Sequence, residues 1–136
     1  MAALVGVLAG VWSCAKPERA RMGETIEMGR FRVRVESIEV EDRRHQGVPV
    51  EVRVRLRCDG GNRFERMDFA DLLSRKGKVY LRAEDGWSER LYFTSTGEDA
   101  RSMVMAAYPK QDRRGYVLSI GNPYGQPARV EVELRR

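Results

Sequence analysis

Histidine is almost missing from this chain of 136 residues, where His45 is the only one. That excludes a multi-histidine metal site, and any catalytic triad would have to use this one ring. His45 sits in Arg43-Arg44-His45-Gln46-Gly47, a polar stretch with basic neighbours that reads as an exposed loop, and no pattern supplies a nucleophile and an orienting acid for it. The chain is therefore expected not to be an enzyme and to need no cofactor or metal. Cysteine is limited to Cys14 and Cys58, which allows one disulfide at most. Aromatics are only 8%, and no apolar run reaches the roughly 20 residues that a helix needs to span a bilayer. Charge of one sign is also lacking: 25 Lys+Arg stand against 20 Asp+Glu, and the acids are interleaved with the bases. The resulting +5 permits contact with anionic surfaces without demanding it. No aromatic-basic motif is present, so nucleic acid is not an expected partner.

What the chain does have is alternation. Val50, Val52, Val54, Leu56 and Cys58 alternate with Glu51, Arg53, Arg55 and Arg57. A period of two gives one apolar and one wet face, hence a half-buried β-strand that a second layer must cover. Phe31, Val33 and Val35 alternate in the same way with Arg32, Arg34 and Glu36, and the phase shifts at Ile38 and Val40, so a β-bulge is expected near Glu36-Ser37. The polar connection Glu41 to Gly47 makes these two strands an antiparallel hairpin.

Ile26 to Met28 reads as a short edge segment between Gly23 and Gly29. Further strands are expected around Val79-Tyr80-Leu81, Leu91-Tyr92-Phe93, Ser102 to Tyr108, Tyr116 to Ile120 and Arg129 to Leu134. Asp59-Gly60-Gly61-Asn62 and Glu84-Asp85-Gly86 mark turns, and Phe69 to Ser74 is expected to form one helical turn and nothing longer. The predicted fold is all-β: an immunoglobulin-like antiparallel β-sandwich of about seven to eight strands.

The motifs Gly23-x5-Gly29-x-Phe31-x-Val33-x-Val35-x-Ser37-Ile38, Val50-x-Val52-x-Val54-x-Leu56, Asp68-Phe69-x-x-Leu72 and Gly77-x-x-Tyr80 carry a resemblance. So do Gly97-Glu98-x-Ala100-Arg101, Tyr108-Pro109-Lys110 and Val117-Leu118-Ser119-Ile120-Gly121. Together they resemble a bacterial family of small secreted or lipoprotein immunoglobulin-like domains of unknown function. The resemblance implies that fold and a place outside the cytoplasm, and it implies no ligand, because fold does not determine function. The turn Ser74-Arg75-Lys76-Gly77-Lys78 departs from the family in being basic where that turn is often acidic.

The segment Ala2 to Trp12 is apolar and uncharged, and Val11-Trp12-Ser13-Cys14 resembles a bacterial lipobox. Trp12 departs from that pattern, and the usual basic opening is missing. The expectation is a signal over residues 1–14 with Cys14 as the lipidated residue; an ordinary cleaved signal and an N-terminal strand are the alternatives. Residues 15–24 read as a polar tether and 25–136 as the sandwich. Cys58 is expected to be a small buried hydrophobe, with a Cys14–Cys58 disulfide open only if Cys14 is not lipidated.

Candidate binding chemistry lies mainly on the wet face. Arg32, Arg34, Arg53, Arg55 and Arg57 share outward parity and form a possible anion-binding face. The alternative is a solvated face neutralised by Glu36 and Glu51, and by Glu131 and Glu133 if the last strand lies alongside. Met103-x-Met105 puts two thioethers on one strand face, which suits Cu(I) or, more simply, the core. Asp59, Asn62, Glu84 and Asp85 lack calcium-loop spacing, and Trp87, Tyr92 and Tyr124 could line a sugar- or peptide-binding surface or be half-packed. The expected function is a non-enzymatic, envelope-anchored interaction domain. It would sit outside the cytoplasm on a membrane and bind a protein or an anionic envelope polymer. The alternative is a periplasmic small-ligand or copper carrier.

Overall fold

Alternation dictates most of the strands in the computed structural model, which describes residues 17–43, 47 and 50–136. In chain order these are β1 (Glu18–Ala20), β2 (Ile26–Met28), β3 (Phe31–Asp42), β4 (Val50–Asp59), helix α1 (Arg63–Arg75), β5 (Val79–Arg82), β6 (Ser88–Arg90), β7 (Tyr92–Thr96), β8 (Ser102–Ala107), β9 (Val117–Gly121) and β10 (Arg129–Glu133). They form two five-stranded sheets, ordered β1-β10-β9-β5-β6 and β2-β3-β4-β8-β7. Strands β3, β4, β8 and β7 of one sheet, with β10, β9 and β5 of the other, have the order of the seven-stranded immunoglobulin Greek key. The fold is an antiparallel β-sandwich, as expected, with β1, β2 and β6 added at its edges.

The long hairpin β3–β4 is the spine. Val33 faces Cys58, Val35 faces Leu56 and Ile38 faces Val54, with the register shift between Val35 and Ser37 where the apolar phase changes. Val33, Val35, Val52, Val54, Leu56 and Cys58 have no solvent exposure, and they pack against Leu81, Leu118, Ile120 and Val132 of the facing sheet within one core. Each such large aliphatic contributes about 1.5–3 kcal/mol by leaving water. At the start of β9 the Tyr116 hydroxyl accepts the Arg113 N–H (2.8 Å) and donates to Asp112 (3.0 Å). This return bond to upstream backbone is the tyrosine corner of immunoglobulin-type sandwiches.

Two expectations need correction. The first concerns residues 15–24: within this stretch Glu18–Ala20 forms β1, paired in parallel with Val130–Val132 of β10. Ala20 and Met22 turn toward the core, and the edge of β10 supplies the backbone partners that a free tether would lack. The second concerns Phe69 to Ser74, which belongs to a helix of 13 residues. Asn62 and Glu65 form a reciprocal capping box, Glu65 N–H to Asn62 Oδ1 (2.9 Å) and Asn62 N–H to Glu65 Oε1 (3.0 Å). The buried stripe is Arg66, Phe69, Ala70 and Leu73, spaced as a helix requires. It begins on an arginine, which hides it from an apolar count. The helix ends at Gly77 (φ +61°), where Lys78 N–H reaches Leu73 C=O (2.8 Å) and Gly77 N–H reaches Ser74 C=O (3.1 Å). That bond pair is a Schellman motif, and it needs a residue that tolerates positive φ.

Candidate functional site

The outward parity of β3 and β4 places all five arginines on one surface of the β2-β3-β4-β8-β7 sheet. Register then decides which of them are neutralised. At one end Arg53 is opposite Glu39 and reaches three carboxylates: Glu39 (3.0 Å), Glu51 (3.3 Å) and Glu41 (3.4 Å). At the other end Arg32 is opposite Glu27 on β2 and Asp59 on β4. In the middle Arg34 is directly opposite Arg57, a like-charge pair that costs the sheet stability. Each has one acid at its side, Glu36 for Arg34 (3.6 Å) and Asp59 for Arg57 (3.1 Å). Arg55, opposite Ser37, is bonded only to the Ser102 hydroxyl (3.1 Å), and among the described residues no carboxylate lies within ion-pair distance of it.

The face is thus graded, self-neutralised around Arg53 and cationic around Arg34, Arg55 and Arg57. Beside Arg55 lies a shallow depression of about 170 Å³, lined by Ser37, Glu39, Arg53, Arg55, Thr94, Ser95 and Val104. One of its hydroxyls, Ser37, is on β3; the other two, Thr94 and Ser95, come from β7 and were not legible in the sequence, because nothing in the chain announces that β7 joins this sheet through β8. Glu131 and Glu133, which would neutralise this face if the last strand lay alongside it, are elsewhere. They lie on β10 in the other sheet, where Glu131 pairs with Arg82 and Glu133 with Arg135.

The remaining candidates are used by the scaffold. Met103 and Met105 are fully buried core side chains of β8. Cys58 is an unpaired, buried thiol, and desolvation pushes its pKa up to about 11, so it is inert near neutral pH. Asp59 pairs with Arg57, Asn62 caps α1 and Glu84 packs against Gly115. The Asp85 carboxylate accepts the Trp87 N–H (3.0 Å) and pairs with Arg113, which hold its pKa below the usual range. Among the described residues no group of three His, Cys, Asp or Glu side chains is placed to hold a metal ion. The three aromatics do not share a surface. Trp87 meets Tyr116 edge-on, Tyr92 lies under Arg90, and Tyr124 stacks on the Phe31–Phe69 pair. Cys14 and His45 lie outside the described residues.

No family model matches the chain, and no curated protein matches it. Among solved structures it is similar to an uncharacterized beta-sandwich protein from Clostridium difficile 630, with a TM-score of 0.54 and 11% identity over 88% of this chain and 95% of that one. At that identity the likeness concerns the fold alone: the chain has the architecture of a β-sandwich protein of unknown function.

Proposed function

We propose that this is a non-enzymatic, envelope-anchored interaction domain that binds an anionic envelope polymer through the cationic half of its β3–β4 face. One observation carries the reading: Arg34 and Arg57 are held directly opposite each other beside an Arg55 with no acid partner among the described residues. A fold gains nothing from stacking like charges, whereas an anionic ligand lying along the strands would relieve the repulsion and be gripped bidentately. The serine and threonine hydroxyls of the adjoining depression suit a hydroxyl-bearing polymer such as an acidic polysaccharide.

The test is binding of the full chain to a soluble polyuronate at two salt concentrations. Binding should weaken steeply with salt, because exposed charges are screened over about 8 Å at physiological ionic strength. Reversing Arg55 and Arg57 to glutamate should abolish it, while Arg53→Glu should matter far less, since three carboxylates already neutralise that side chain. Equal losses from both, or binding indifferent to salt, would remove the reading.

Anchoring rests on Cys14, whose thiol would carry diacylglycerol. Each buried CH₂ adds about 0.8 kcal/mol, and several acyl chains make the attachment durable. In cell fractionation, Cys14→Ser should move the folded domain from the membrane to the soluble fraction. A serine variant that stays on membranes at high salt would show that lipidation is not the anchor.

A further inference from the structure

The basic turn at the end of α1 finds its partners on the opposite side of the molecule from the arginine face. The Schellman bond delivers Lys78 directly into β5, so that Lys78, Tyr80 and Arg82 share the outer face of the β1-β10-β9-β5-β6 sheet. Tyr80 is opposite Arg90 on β6 and opposite Ser119 on β9. Arg129 stands opposite Gly121, where the missing side chain lets two cations lean in. A Cβ at Gly121 would come 3.0 Å from Lys78 Cδ and 3.3 Å from Arg129 Nη2. Over that gap Arg129 bonds the Ser119 hydroxyl (2.8 Å) and lies 5.9 Å from the centre of the Tyr80 ring. On the other flank the Tyr80 hydroxyl and the Arg90 side chain converge above Gly77, 3.5 and 3.3 Å from where its Cβ would be.

Three cations therefore surround one half-exposed tyrosine, and among the described residues none of them has a carboxylate within ion-pair distance. This is unusual for the molecule, whose other arginines mostly sit in ion pairs. Arg90 is the sharpest case. Its Nε is buried without a hydrogen-bond partner among the described residues, and its guanidinium lies 4.9 Å from the centre of the Tyr92 ring. Arg66 and Arg113 also have Nε atoms without a partner among the described residues, but their terminal nitrogens reach backbone carbonyls (Arg66) or a carboxylate (Arg113); those of Arg90 reach neither. Glu131, which shares a cross-strand row with Tyr80 and Ser119, is already paired with Arg82.

The geometry points to a second anion site here, built by Lys78, Arg90, Arg129 and the Tyr80 hydroxyl, that takes a phosphate group. A carboxylate has two oxygens and one charge, which leaves two of the three cations unanswered. Phosphate has more oxygens and up to two charges, and guanidinium forks match its edges. The group reaches the site either on a soluble phosphate monoester or on a phospholipid whose headgroup is a phosphomonoester.

The test uses the full chain and two probes at low ionic strength, inorganic phosphate followed by calorimetry and thermal shift, and vesicles containing phosphatidic acid against vesicles of phosphatidylcholine alone. The wild-type chain should bind at least one probe, and bound phosphate should raise its melting temperature. Arg90→Gln with Arg129→Gln should weaken that binding by about tenfold or more, since hydrogen bonds to charged groups are being lost. In phosphate-free buffer the variant should still melt cooperatively close to wild type, because relief of unpaired charge offsets the loss of the Arg129–Ser119 bond and of the two contacts with tyrosine rings. Arg90→Lys with Arg129→Lys should restore part of the binding, and Arg55→Gln should leave it unchanged. Phosphate binding lost in the double variant assigns a soluble ligand, and loss confined to the anionic vesicles assigns a headgroup. No binding to either probe, or binding that the double variant keeps, would overturn the site.

Discussion

Val54→Asp should unfold the domain. Val54 has no solvent exposure and sits mid-strand on β4, opposite Ile38 of β3 and Met105 of β8. These neighbours are apolar, so a carboxylate there has no partner and no water. Leaving a charge buried and unpaired costs on the order of 3–5 kcal/mol, and protonating it instead still leaves a polar group in a dry core. Domains of this size are stable by about 5–15 kcal/mol, and the lost apolar packing adds to the deficit. The neighbouring change Arg55→Ala should shift stability by less than about 1 kcal/mol, because that side chain points outward to a single serine hydroxyl. Circular dichroism melts of the two variants check the contrast. A Val54→Asp protein that melts cooperatively near the wild-type temperature would mean that β4 is not the centre of the core.

The contrast between positions 54 and 55 was legible from residue order because strand parity is a local property. A period of two places each side chain in or out without knowledge of what the strand pairs with, and the bulge at Ser37 follows from the same count. Pairing across the sheets is a different matter. Nothing local says that β10 lies beside β9 and β1, so residue order leaves open which arginines Glu131 and Glu133 can reach. The same blindness hid the cluster at Tyr80. Lys78 stood out as part of a basic turn, but Arg90 and Arg129 come from strands 12 and 51 positions further on and meet it only through β5–β6 and β9–β10 registers. The helix was missed for a third reason. Its capping box and its spacing of 66, 69, 70 and 73 are both written in the chain, but an arginine in the first buried position breaks the apolar pattern that periodicity counts.

That arginine sets the other large expected effect: Arg66→Met should destabilise the domain by about 3–6 kcal/mol, from the loss of two well-formed hydrogen bonds to a charged group at roughly 1.5–3 each. Arg66 is 6% exposed, and among the described residues it has no carboxylate partner. Its guanidinium is held by backbone carbonyls instead. One terminal nitrogen donates to Gly61 C=O (2.7 Å), with Gly60 C=O further off at 3.4 Å, and the other donates to Asp99 C=O (2.6 Å). Gly60 and Gly61 follow β4, and Asp99 precedes β8, so one side chain from the first turns of α1 ties together the loops that close this end of the sandwich. Beside that tie Cys58 N–H donates to Arg101 C=O (2.6 Å), extending the β4–β8 pairing past its last register pair. Methionine keeps much of the stem's packing and removes only the donors, so it isolates their contribution from a cavity effect. Arg66→Lys should recover a minor part, because a single ammonium reaches one loop and lacks the planar fork that bridges two. Urea denaturation midpoints measure both variants, and amide exchange should accelerate at Cys58 in each. If Arg66→Met shifts stability by less than about 0.5 kcal/mol, the size of an ordinary surface substitution, the clamp is not what holds the two loops together.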